Sequence, residues 1–386
     1  MNRMSAALQV NPFKPTAGKM PPILIGRDNV IADFQDGLRN GAGAPERLML
    51  ITGQRGYGKT VLLTELGRVA QANGWLVVSE TASRGMAERI VSALADDGLS
   101  LTGVDLAPEL TVGQVSARLG GVRLSAAAAP VTLRRAIEQR LAGMPAGKGI
   151  AFTVDETQAA SRNELIAIAT AVQHVIRDED MRDVPDTEKH GIAFVFAGLP
   201  ALVDDLTNDE VLTFLRRCVH YSLGDVLIAD VRRAYLQTMA ASGKRISGDL
   251  ALEAAEASGG YPYMVQLMGY YLWQSAERRH ASIIGELDLC NAREDASLAF
   301  QEAVCAPLVR GLTGAQRMFV EAMAQDYPAS SRVTEVAERC GKSHSWGSKY
   351  RSSLIDGHVV RATRKGEVAY AVPWLGEYLN RGRRNA

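Results

Sequence analysis

Two short stretches hold side chains whose types and spacing could do chemistry. Gly53-Gln54-Arg55-Gly56-Tyr57-Gly58-Lys59-Thr60 places glycines where the backbone must wrap tightly, then a lysine and a threonine where an apolar helical period begins. In such a loop successive N–H groups can face one cluster of anionic oxygens, and the helix opened by Lys59 adds the positive end of its dipole. Lys59 would reach the β and γ phosphates of a nucleotide, and the Thr60 hydroxyl would ligate Mg²⁺. The nucleotide-contacting candidates are therefore Gly53, Gln54, Arg55, Gly56, Tyr57, Gly58, Lys59, Thr60 and the following Val61. The second stretch, GIAFTVDE, ends in Asp155-Glu156. A carboxylate at the end of a neighbouring strand is needed to hold the metal from the opposite side, and Asp155 would supply it, largely through water. Glu156 would orient and deprotonate the water that attacks the γ-phosphate. The competing reading is that both acids cap the helix beginning near Ser161.

These residues require elements that present them at one edge of a sheet. From Arg47 to about Leu223, the apolar runs RLMLITG, WLVVSE, IAFTVDE, IAFVFAG and VHYSL alternate with longer segments of helical period. This alternation predicts an α/β fold, a parallel sheet with crossover helices on both faces and its loops at the strand C-termini. Residues 99–130 break the pattern and read as an insertion or a hairpin. After Gly224 no strand is expected for some distance, and IADVRRAYLQTMAA, GDLALEAAEAS, YPYMVQLMGYYLWQSAE and LDLCNAREDASLAFQEAV follow as helices. A third unit begins near Leu312 with three helical patterns. HVVRAT and EVAYAV then flank Arg364-Lys365-Gly366, a hairpin signal with glycine at the turn. Three helices and a hairpin make a winged helix. The expected domains are a P-loop core with an N-terminal edge segment over 1–224, an all-helical lid over 225–305 and a winged helix-turn-helix domain over 306–386.

Composition sets limits on function. With 386 residues, the chain is long enough for two or three domains. Hydrophobic residues make up 47% and charged residues 22%, as in soluble globular proteins. No apolar run approaches the ~20 residues of a membrane span, and the N-terminus has no secretory h-region, so a cytoplasmic location is expected. The four cysteines lack paired spacing, which argues against a zinc site or a disulfide framework. The histidines form no ligand cluster, and serine and cysteine have no nucleophile elbow. Lys plus Arg equals Asp plus Glu at 43 each, yet from Gly341 onward nine basic residues face three acidic ones. That asymmetry points to a polyanion partner or else to a solvated basic tail.

The helix SHSWGSKYRSSLI carries Ser345, Lys349 and Arg351, side chains suited to phosphates and base edges, while Trp346 and Leu354 would face the domain core. The wing tip Arg364-Lys365 could contact an adjacent backbone or groove. Salt-sensitive binding of duplex DNA is expected, without a readable site. The other reading is a winged helix that contacts a protein partner.

NPFKP, ILIGRDNVIADF, GQRGYGKT, AFTVDE, FVFAGLP, FLRR and SGGYPYMVQL occur in the order used by AAA+/STAND-type P-loop ATPases, in the branch of replication-initiator-like and prokaryotic signalling ATPases. The chain resembles that family over about residues 11–280. The resemblance implies ATP as the nucleotide, with Mg²⁺, and an ATPase activity that switches DNA binding or assembly. It implies that the segment before the P-loop closes over adenine, making Phe13, Ile25, Gly26 and Arg27 nucleotide-edge candidates; otherwise Asn11-Pro12-Phe13 only anchors the N-terminus. It implies that Pro262, in Gly260-Tyr261-Pro262, contacts the base, against plain helix initiation by proline. Arg216 and Arg217 stand where such proteins present an arginine finger in trans, which would make turnover depend on self-association; the alternative is an ion pair. The chain departs from the family in two places. Ala197-Gly198-Leu199-Pro200 has no polar sensor residue after the fourth strand, and the lid helix has no clear sensor arginine. Both departures suit a slow, switch-like hydrolysis.

Overall fold

Leu48–Thr52, the first strand (β1), sends Met49 and Ile51 to one side of a sheet and Leu50 to the other, and all three are buried. A strand apolar on both faces belongs inside a parallel sheet covered by helices on each side. The computed structural model describes residues 10–16, 18–95, 132–200 and 217–384. Residues 99–130 and Arg216 therefore lie outside the described residues. The chain divides into two units, one of residues 18–20 and 24–224, the other joining residues 10–16 and 21–23 to residues 225–384.

In the first unit, α1 (Asp28–Arg39) precedes β1, and α2 (Lys59–Ala72), β2 (Leu76–Thr81) and α3 (Met86–Ala95) follow it. Then come α4 (Leu133–Ala142), β3 (Gly149–Asp155), α5 (Arg162–Asp180), β4 (Gly191–Gly198) and β5 (Val219–Ser222). The five strands form one sheet of order β2-β3-β4-β1-β5, with every pairing parallel. The expected parallel α/β sheet is present. Its two faces differ in side-chain size: Phe152, Phe194 and Phe196 point towards the α3, α4 and α5 side. Ala151, Ala193 and Ala197 share the opposite face with Leu62, Leu66 and Ala70 of α2. Small residues on that face let α2 approach the sheet closely, which fixes the loop at its N-terminus over the strand ends. Because β4 lies between β1 and β3, about 10 Å separates the end of β1 from the end of β3.

In the second unit, α6 (Ile228–Ala241), α7 (Gly248–Ala257), α8 (Pro262–Arg278) and α9 (Glu286–Phe300) succeed one another. A π-turn at Gln301–Cys305 continues α9 into α10 (Ala306–Gly311). Phe13 belongs to this unit: its ring is 2% exposed, meets Tyr235 edge-on at 5.9 Å and fills the space where a Cβ on Gly269 would lie 2.4 Å away. Asn11 donates from Nδ2 to the Tyr270 carbonyl at 3.0 Å, tying the same segment to α8.

The chain then forms α11 (Gly314–Met323), β6 (Ser331–Arg332), α12 (Val333–Arg339), α13 (His344–Asp356), β7 (Val360–Ala362), β8 (Glu367–Tyr370) and α14 (Leu375–Arg384). The strands make an antiparallel sheet of order β6-β8-β7. Gly347 allows α12 and α13 to cross closely, since a Cβ there would lie 3.1 Å from Ala337 Cβ. Leu354 is fully buried and Trp346 packs its ring 5.9 Å from Phe319, as their apolar character requires. Among the described residues, no helix is long and apolar enough to cross a membrane.

Candidate functional site

β1 ends at Thr52, and the chain leaves the sheet through a loop that only small residues can form. A Cβ on Gly53 would lie 3.1 Å from Leu223 Cβ and 3.2 Å from the Leu223 carbonyl oxygen. Gly56 and Gly58 both have φ of 82°, a left-handed conformation that glycine adopts without steric cost. α2 starts at Lys59 behind Gly58, and no side chain caps its first turn. Its first N–H groups are thus available to an anion, with the helix dipole behind them.

Lys59 is only 6% exposed, and its Nζ donates to the carbonyls of Gly53 at 2.8 Å and Gln54 at 3.2 Å. Burial lowers its pKa, opposed by the Glu156 and Asp155 carboxylates and reinforced by Arg55. The ammonium therefore sits in a position where a further anion would compensate its desolvation. One residue on, the Thr60 hydroxyl donates to Asp155 Oδ2, so the first turn of α2 reaches the end of β3. Asp155 Oδ1 accepts the Glu156 N–H at 2.8 Å, which leaves this carboxylate held from two sides. A hydroxyl and a carboxylate oxygen brought together in this way fit Mg²⁺, which prefers hard oxygen donors and takes its remaining ligands from water and phosphates. A groove lined in part by Thr60, Thr64, Ser79, Thr153 and Asp155 opens beside them.

Glu156 has φ of 50°, a left-handed backbone that costs a non-glycine residue about 1 kcal/mol. Its carboxylate accepts a hydrogen bond from Gln158 Nε2. The capping alternative for these acids does not hold, because α5 is capped by Ser161, whose hydroxyl accepts from the Glu164 N–H in a complete capping box. Glu164 is the acid that serves this helix start, and it also accepts the N–H groups of Gly85 and Met86 at 2.8 and 3.0 Å.

Residues 23–181 match the family described as the AAA ATPase domain. The first unit is a P-loop domain of the AAA+ class. Its fold is shared with the ORC2 protein of Aeropyrum pernix in two structures, each 12% identical to this chain. The one described as ADPNP-ADP complexes has a TM-score of 0.61 and covers 96% of this chain and 98% of that chain. The one described as the ADP form has a TM-score of 0.53 and covers 97% and 99%. At this identity the likeness is one of fold. Residues 302–379 match a family described as a domain of unknown function. No curated protein sequence matches.

Around the AAA+ loop, Arg27 is 8% exposed and donates to the carbonyls of Tyr57 at 3.3 Å and Gly224 at 3.0 Å. It braces the P-loop from behind. Ile25 is half-buried and Gly26 is exposed beside it. Phe13 requires a correction: its ring is packed in the core of the second unit, so it serves the anchoring role, and its apolar faces are already covered. Pro262 is half-buried at the first position of α8, following Gly260, whose φ of 73° and approach to the Val226 carbonyl exclude a side chain. Arg217 is exposed immediately before β5.

In the C-terminal region, Ser345 and Lys349 are exposed one turn apart on α13, and Arg364 and Lys365 are exposed at the β7–β8 turn. Ser345 Oγ shares a hydrogen bond with Ser343 Oγ at 2.9 Å, and Lys349 Nζ lies 5.6 Å from the Tyr350 ring centre. Arg351 is half-buried, with a buried Nε that has no partner among the described residues.

Two features escaped the sequence reading. Gln158 bonds Glu156, and Thr157 sends its buried hydroxyl to the carbonyls of Ala197 at 2.9 Å and Val154 at 3.3 Å. Neither residue type carries a motif signal, and the Thr157 bond to Ala197 exists only because β3 and β4 lie side by side.

Proposed function

We propose that this chain binds and hydrolyses ATP, and that its nucleotide state governs engagement of duplex DNA, or self-assembly, through a C-terminal winged helix. The observation that carries the reading is the convergence of Lys59, Thr60, Asp155 and Glu156 from two separate segments at one end of the sheet. Backbone N–H groups of the loop and the Lys59 ammonium would hold the phosphates. Mg²⁺ held by Thr60 and Asp155 would neutralise charge on the β and γ oxygens. Glu156 would orient a water in line with the γ-phosphorus and accept its proton. Gly26 and Ile25 are the candidates for the adenine end, and Arg217 or Arg216 for a contribution from a second copy.

The C-terminal reading rests on topology and charge. The helix order with a β6-β8-β7 sheet suits a winged helix, in which α13 would enter the major groove and the Arg364-Lys365 turn would act as the wing. Ser345, Lys349, Arg351, Arg364 and Lys365 would then grip phosphates and base edges. A. pernix ORC2 was solved with adenine nucleotides, and its fold likeness lends support to the nucleotide half of the proposal.

The test is ATP turnover by the wild type and by Glu156→Gln, with and without duplex DNA at moderate salt. The expected result is DNA-responsive turnover in the wild type and a loss of 10²-fold or more in the variant, which retains ATP. Turnover indifferent to DNA would keep the ATPase and move the C-terminal region to a protein partner.

A further inference from the structure

AAA+ folds place the end of β4 between the P-loop and the strand bearing the catalytic acid, and here that end offers no polar side chain: Ala197, Gly198, Leu199 and Pro200 follow in succession. The structure shows what stands in its place. Gln158, two residues beyond Glu156, donates from Nε2 to Glu156 Oε2 and accepts the Leu199 N–H through Oε1 at 3.1 Å. One amide therefore bridges the carboxylate to the backbone at the end of β4. Thr157 adds a second link between the same turn and the same strand, through its hydroxyl to the Ala197 carbonyl at 2.9 Å.

We infer that Gln158 is a positioning residue for ATP hydrolysis, holding the Glu156 carboxylate in register with the end of β4 in place of a sensor side chain on that strand. The inference rests on the hydrolytic role proposed for Glu156. Glu156 is half-buried on a left-handed backbone, so its side-chain direction is set by its neighbours rather than by tight packing. An amide suits this bridge because it offers a donor to the carboxylate and an acceptor to the N–H at once; a hydroxyl, carboxylate or thioether cannot do both at this span. Any shift of Leu199 that accompanies nucleotide binding would be passed to Glu156 by this amide. The bridge positions the base that activates the attacking water, so it acts on the chemical step and leaves nucleotide affinity alone.

The experiment compares steady-state ATP turnover of wild type, Glu156→Gln, Gln158→Met and Gln158→Glu, with affinity for a fluorescent ATP analogue measured on each. Gln158 is exposed, so neither substitution removes a core contact, and thermal unfolding should stay within about 0.5 kcal/mol of wild type. Gln158→Met loses both bonds; Gln158→Glu keeps an acceptor for Leu199 but has no donor for Glu156. Both should lower kcat by roughly ten- to a hundredfold with KM and analogue affinity within about threefold. Wild-type kcat in Gln158→Met, with Glu156→Gln inactive, would overturn the inference and leave the ATPase reading standing. A raised KM at unchanged kcat would overturn it as well, by making Gln158 a binding residue. No turnover in the wild type under any condition would sink the ATPase reading and the positioning role with it.

Discussion

Replacing Lys59 with methionine isolates the part of the P-loop that depends on charge. Methionine keeps an unbranched side chain in the same buried position and removes the ammonium. Without nucleotide, the variant loses the hydrogen bonds to the Gly53 and Gln54 carbonyls, at 2.8 and 3.2 Å. It also escapes the desolvation that lowers the Lys59 pKa. A charge that is costly to bury and two bonds that partly offset the cost should nearly cancel, so unfolding free energy should change by no more than about 1 kcal/mol. With nucleotide the balance is different, because the lost contacts are charge-assisted hydrogen bonds to phosphate worth about 2–3 kcal/mol. That corresponds to a roughly 30- to 150-fold weaker affinity. Titration with a fluorescent ATP analogue reads the affinity, and nucleotide-induced thermal stabilisation should shrink in parallel. A variant that folds normally and binds within threefold of wild type would refute the placement of phosphates at this loop.

The C-terminal region gives a second expectation: replacing Lys349, Arg351, Arg364 and Lys365 together by glutamine should weaken duplex binding strongly, with residual affinity measurable at low salt. If all four contact phosphates, the slope of log affinity against log salt should fall in magnitude by up to about 3.6, and an unchanged slope would remove this face from the interface. Stability in the second unit should depend on Asp288, which has no exposure to solvent. Desolvation would raise its pKa, but Arg279, the Gly285 N–H and the Ser275 hydroxyl outweigh it and the net shift is downward. A depressed carboxylate stabilises the fold above its unfolded pKa of about 3.9 and loses that contribution as pH falls through the folded value. Asp288→Asn should therefore cost about 2 kcal/mol in urea melts at pH 7 and progressively less towards pH 3. An equal cost at both pH values would show that the charge is not the source.

The P-loop was legible because its chemistry is local. The turn needs glycines at Gly56 and Gly58 for their positive φ, and Lys59-Thr60 must open the helix, so residue type and spacing carry the signal within one short segment. The five apolar runs were legible for a similar reason, since strands buried on both faces cannot conceal their composition. Phe13 was ambiguous in sequence because an aromatic beside two prolines suits a base edge or an anchor equally well. Its burial against Tyr235 and Gly269, more than two hundred positions away, decided for the anchor. Arg27 could be placed near the nucleotide edge, but its hold on the Tyr57 and Gly224 carbonyls depends on chain segments that meet only in the folded domain.

By itself, then, the sequence determined the element types, the parallel sheet and the phosphate loop, because each follows from periodicity or from a short-range steric demand. Only the tertiary structure decided that Thr60 meets Asp155 and that Gln158 reaches Leu199. These are contacts made across neighbouring strands or from helix to strand. The strand order that creates them comes from packing helices on two unequal faces of one sheet, and no local pattern records it.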